Sequence, residues 1–86
     1  MKPYIEEKKD GYIIREFSQN TPSLEFVWHR DKEDRHIEVI DGEGWGMQFD
    51  NELPFELVKG DRIFITEGRI HRILKGTTDL KIKINL

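Results

Sequence analysis

Three histidines and no cysteine limit the chemistry open to this 86-residue chain before any fold is assigned. Without thiols there are no disulfides, iron–sulfur clusters, thiolate zinc sites or cysteine nucleophiles. A bound metal would have to sit on imidazole and carboxylate. His29 and Asp31 are two residues apart at the end of an apolar-alternating stretch, Leu24–Arg30, that reads as a strand. Their side chains would then leave one face about 7 Å apart along the backbone. If that face turns inward, an imidazole and a carboxylate share an apolar cavity, which is costly unless something satisfies them. A divalent cation would do so. His71, on the separate segment Gly68–Leu74, would complete a two-histidine, one-carboxylate set if it also points inward. Such a set with open positions suits Fe(II) and other first-row ions. Asp34 and Glu33 stand near enough in sequence to serve as alternative carboxylate ligands.

The elements that must position these residues are short strands. Apolar residues alternate over runs of four to seven, turn residues punctuate them closely, and no amphipathic helix of ordinary length fits. Asp10-Gly11 is a hairpin-type turn leading into a strand over Tyr12–Phe17. The cluster Ser18–Ser23, with Pro22 inside it, is a loop before Leu24–Arg30. In Arg35–Ile40, Ile37 and Val39 share one face and Glu38 and Ile40 the other. Gly42 and Gly44 mark a turn before Trp45–Phe49, and Gly60-Asp61 marks another before Arg62–Thr66. The final run alternates Leu80, Ile82 and Ile84 against Lys81 and Lys83, the pattern of a half-buried strand. Many short antiparallel strands imply a sandwich or barrel, which hides its edges by closing on itself.

Composition bounds the function classes. Hydrophobic and charged residues each make up 36% of the chain, neither a disordered nor a membrane composition. The formal net charge of −3 argues against a general polyanion binder. Acidic side chains exceed basic ones over residues 1–58 and the reverse holds over 59–86, which in interleaving strands predicts intramolecular pairing. Arg69, Arg72, Lys75, Lys81 and Lys83 lack the interleaved aromatics of a single-strand groove, so nucleic acid is not an expected partner. The first residues hold no apolar segment of secretory length, and no apolar run approaches a membrane span, so a cytoplasmic address is expected.

Spacing carries a further likeness. His29-x-Asp31, three residues, Arg35, six residues and Gly42 are followed, after 17 residues, by Gly60, Thr66, Gly68, His71 and Lys75. This arrangement resembles the two motifs of the cupin family, and the phrase from Trp28 to Trp45 is similar to short single-domain cupins of phage and marine environmental sequences. The motifs cover residues 29–75, about half the chain. The resemblance implies an all-β fold, a small single-domain cupin barrel (a double-stranded β-helix or jelly roll) over residues 1–86. It places His29 and His71 on the family's first and last histidine ligands and Asp31 on the second histidine, a change that keeps ligand capacity. Arg35 stands where the family has glutamate, Thr66 where it has proline and Lys75 where it has asparagine. Arginine stays protonated and cannot ligate.

Two readings follow. In the first, His29, Asp31 and His71 hold Fe, Mn, Ni or Zn, and Arg35 pairs with Asp31 or with a substrate carboxylate, a role its planar fork suits. The protein is then a metal-dependent, oxygenase-like or isomerase-like cupin acting on a small polar or carboxylated substrate. In the second, Arg35 and Asp31 form a salt bridge in a metal-free pocket that binds a small ligand or a protein. Met47 and Gln48 are candidate substrate contacts, since one of this adjacent pair should face the pocket. His36 is out of phase with Ile37 and Val39 and reads as structural or solvated. Trp45 reads as core packing and Trp28 as outward-facing. Both faces of Arg62–Thr66 are apolar, and with the family's habit of pairing this implies a homodimer.

Overall fold

A computed structural model of the chain describes residues 3–86. Its eight strands are β1 (Ile5–Lys8), β2 (Tyr12–Phe17), β3 (Arg35–Asp41), β4 (Gly46–Phe49), β5 (Phe55–Glu56), β6 (Arg62–Ile65), β7 (His71–Leu74) and β8 (Leu80–Asn85). They build a five-stranded antiparallel sheet in the order β1-β2-β8-β3-β6 and a three-stranded one in the order β5-β4-β7. Among the described residues no strand ladder joins the two sheets. The enclosure is therefore made by side chains packed between facing sheets and not by a continuous hydrogen-bonded barrel.

The strand patterns explain the burial. β8 puts Leu80, Ile82 and Ile84 in the core and Lys81 and Lys83 on the outer face, as its alternation requires. It lies between β2 and β3, with Lys81 opposite Glu16 and Asp41, and Lys83 opposite Glu38. The basic C-terminal strand thus sits between acidic partners, which is where the uneven charge distribution goes. Opposite charges facing across strands contribute roughly 0.2–1 kcal/mol per pair. The core combines Ile13, Phe17, Ile37, Val39 and Ile65 of the large sheet with Trp45, Met47 and Phe49 from and beside the small one.

The stretch expected as a strand over Leu24–Arg30 is not one. Pro22 leads into a single 3-10 turn over Ser23–Glu25, and Leu24 and Val27 are exposed. Proline's fixed φ starts a turn readily and its missing N–H offers nothing to a ladder. Phe26 packs inward, its ring 5.6 Å from that of Trp45 and 6.1 Å from that of Phe17. Strand character is reduced to one bridge: His29 N–H donates to the His71 carbonyl at 3.0 Å and His71 N–H to the His29 carbonyl at 2.9 Å. That bridge docks the segment on the edge of β7.

Candidate metal centre

The bridge between His29 and His71 sets two imidazoles side by side, their ring centroids 4.3 Å apart. Each ring is fixed in the same way. His29 Nδ1 lies 3.1 Å from the Val27 carbonyl, and His71 Nδ1 lies 2.8 Å from the Arg69 carbonyl. A carbonyl oxygen only accepts, so each Nδ1 is the donor of its bond, and the neutral form of either ring presents Nε2 as a lone pair. Between them stands Asp31, with Oδ2 3.5 Å from His71 Nε2 and Oδ1 4.0 Å from His29 Nε2. Three possible ligand atoms therefore converge, all within 4.8 Å of one another.

That donor set fits a cation. A divalent ion with ligands about 2.0–2.2 Å away places neighbouring ligand atoms about 3.0–3.4 Å apart, so small side-chain movements suffice. The Nδ1–H bonds to backbone carbonyls are the outer-shell support that histidine ligands ordinarily have. Burial pushes the His71 imidazole below its ordinary value, outweighing the upward pull of the Arg69 carbonyl and the Asp31 carboxylate, while His29 adds to the lowering. His71 is thus neutral at pH 7, the form that binds metal. Its side chain is 4% exposed against 47% for His29, so one imidazole anchors the site and the other borders its opening.

The site lies on the wall of a cavity of about 490 Å³ between the sheets. Its lining is largely apolar, including Phe17, Phe26, Ile37, Ile65, Ile82 and Ile84. Arg35 reaches the same space from the start of β3. Its Nε is 3.9 Å from Asp31 Oδ2, too far for a hydrogen bond, and this buried nitrogen has no hydrogen-bond partner. The pair expected of Arg35 and Asp31 is therefore a loose ionic contact. Met47 lines the cavity. Gln48 does not. The period of β4 turns it to the opposite face, where its Oε1 accepts from Arg72 Nε and Nη2 at 3.0 and 2.8 Å, and its Nε2 donates to the Glu52 carbonyl. Asp34 is likewise engaged elsewhere, accepting the Glu67 N–H at 2.8 Å, and Glu33 is exposed. Neither joins the group around Asp31.

Residue types alone did not reveal the Val27 and Arg69 carbonyls, because every residue carries one. The available signal was positional, since each lies two residues before its histidine. Arg15 was also missed as a cavity residue. It sits in phase with Ile13 and Phe17 on β2, pairs with Glu6 at 2.6 Å and lies over the Tyr4 ring. Outside the cavity, Trp28 faces outward beneath the Arg72 guanidinium, and His36 packs on Phe64.

No family model and no curated protein matches the sequence. Solved structures do match the fold. A cupin domain from Bordetella pertussis superposes with a TM-score of 0.65 at 17% identity, over 99% of this chain and 95% of that one. A cupin-2 domain protein from Shewanella frigidimarina gives 0.61 at 22% identity, over 91% and 72%. The Fe(II) form of HppE in complex with substrate gives 0.67 at 16% identity, over 96% of this chain and 52% of that one, so this chain spans about half of HppE. A Co(II) form of HppE with substrate also matches. The two facing antiparallel sheets superpose on those of these cupin structures, and this chain has the cupin fold.

Proposed function

We propose that the chain is a metal-dependent cupin that holds one divalent transition ion, of Fe, Mn, Ni or Zn, on His29, Asp31 and His71. One observation carries this reading: the ligand atoms of His29, Asp31 and His71 converge within 4.8 Å, with each Nδ1 committed to a backbone carbonyl so that Nε2 is the nitrogen left for an ion. Bound there, the ion would supply Lewis acidity and, for a redox metal, electron-transfer chemistry at its open positions. The protein's own contribution is to hold both tautomers, to give a single negative charge through Asp31, and to keep the surroundings apolar. Oxygenase-like or isomerase-like turnover of a small polar or carboxylated substrate is the chemistry this arrangement favours. The likeness to the Fe(II) and Co(II) forms of HppE supports the metal class. The active form proposed is a cytoplasmic homodimer, for which the exposed Trp28 and Phe64 are the support.

Elemental analysis of protein purified without chelator tests the reading, together with thermal shift on adding Fe(II), Mn(II), Ni(II) or Zn(II). Retained metal and an upward shift are expected; neither metal nor shift would sink it. His71→Ala should lose the metal while keeping the fold. The competing reading, a metal-free binding or interaction protein, draws on the cationic Arg35 beside Asp31. It predicts no metal response in any of these measurements.

A further inference from the structure

Arg35 is the charged group in the cavity that the metal reading leaves without a task. It belongs to none of the three ligands, its Nε is buried without a hydrogen-bond partner, and it stands 3.9 Å from Asp31 Oδ2. A guanidinium that served to hold Asp31 in place would donate to it in the two-bond fork geometry that such pairs adopt. This one does not. Leaving a buried donor unsatisfied is costly, so the position is one that a third group would complete.

Charge points to what that group is. Without metal, Asp31 and Arg35 cancel. Among the described residues, the remaining charged groups at the cavity wall are Arg15, already paired with Glu6, and Glu25 on the turn after Pro22. On loading a divalent ion with both histidines neutral, the group of ion, Asp31 and Arg35 carries a net charge of about two positive units in an apolar enclosure. Glu25 is exposed to solvent, so an anion bound inside the cavity is what relieves that. The neighbouring walls, Ile37, Ile65, Ile82, Ile84 and Phe17, match a hydrocarbon body.

Building on the metal assignment above, we infer that Arg35 and the metal together form a carboxylate-binding site whose ligand is a small aliphatic carboxylate, one end held at the ion and Arg35, the chain lying in the apolar space between the sheets. Metal loading opens the site to anions. By reciprocity the carboxylate tightens the metal by the factor through which the metal tightens the carboxylate. Arg35 also repels the ion in the absence of the anion, so removing it has opposite effects on the two ligands.

The test uses Mn(II) and the probes butyrate, hexanoate and neutral hexanamide, with calorimetry for affinities and elemental analysis for metal content. Wild type is expected to bind Mn(II), to bind hexanoate at least tenfold more tightly with Mn(II) than without, and to prefer hexanoate over hexanamide. Hexanoate should exceed butyrate by about fourfold per added methylene. Arg35→Met should keep or tighten Mn(II) and weaken hexanoate at least tenfold, and Arg35→Lys should restore part of that loss. Unchanged hexanoate affinity in a metal-loaded Arg35→Met protein overturns the inference, and so does equal binding of hexanoate and hexanamide by wild type. Looser Mn(II) in Arg35→Met makes Arg35 a support for Asp31 and also overturns it. Absence of Mn(II) from wild type is read separately by elemental analysis; it removes the metal assignment first, and this inference with it.

Discussion

Asp31 has a larger share in the site's behaviour than either histidine, because it is the sole charge in the ligand set and touches all the other groups. Asp31→Asn keeps the shape and removes the charge, and is expected to lower metal affinity by about 100-fold or more, since even outer-shell changes cost 10–100-fold. Calorimetry with Mn(II) measures it. His36→Ala is the matched control. Its ring lies on the outer face against Phe64, 4.5 Å between centroids, so metal affinity should not change. His29, Asp31 and His71 were legible as candidates because few residue types bind metal, but the strand phase expected to align His29 with Asp31 is not what joins them, since Leu24–Arg30 forms no strand and His29 keeps one bridge to His71. Asp34 was not distinguishable from Asp31 by type. Only the folded chain shows its carboxylate spent on the Glu67 N–H.

At the scale of elements, β8 holds the large sheet together, pairing with β2 on one side and β3 on the other. Ile82→Ala removes a buried side chain from its centre and should cost about 2–5 kcal/mol in denaturant unfolding. Ile5→Ala, on the outermost strand and 78% exposed, should stay within about 0.5 kcal/mol. A different constraint acts where the loop before β8 crosses the one before β4. Thr77 N–H donates to the Glu43 carbonyl at 2.9 Å, and Trp45 Nε1 donates to the Thr78 carbonyl at 2.6 Å. At Gly76 a methyl group would overlap the Glu43 carbonyl and the Trp45 ring and lie 2.6 Å from the Trp45 nitrogen. None of these is a free side-chain end, so Gly76→Ala is expected to cost about 1–3 kcal/mol, read as a lowered denaturation midpoint. The β-strands were readable from alternation wherever one face is buried, as in Tyr12–Phe17 and Leu80–Asn85. Leu24–Arg30 alternates as well but forms no strand, because a neighbouring ladder and not the pattern itself makes a strand, and Pro22 commits the chain to a turn first.

For the whole molecule, the metal links site to stability. An ion that binds the folded chain alone, at 100 times its dissociation constant, adds about 2.7 kcal/mol. For a domain of this size that is a rise in Tm of roughly 10–20 °C. Chelation should therefore lower Tm by that amount and re-addition restore it, with a flat response meaning that no ion is held. Sedimentation at micromolar concentration is expected to give a dimer, and a monomer would contradict the role assigned to Trp28 and Phe64.

Residue identity and alternation were enough for the inventory and the strands: no thiols, three imidazoles, and short alternating runs with one buried face. These follow from side-chain chemistry and the two-residue repeat of a strand, which are local properties. The tertiary structure alone decided convergence and orientation. A backbone bridge between His29 and His71, segments distant along the chain, brings the rings together, and the carbonyls of Val27 and Arg69 choose which nitrogen each presents. It also decided that Arg35 stands at a distance from Asp31 with a donor unspent. Hydrogen bonds to backbone atoms carry no residue-type signature, so no pattern of letters records them.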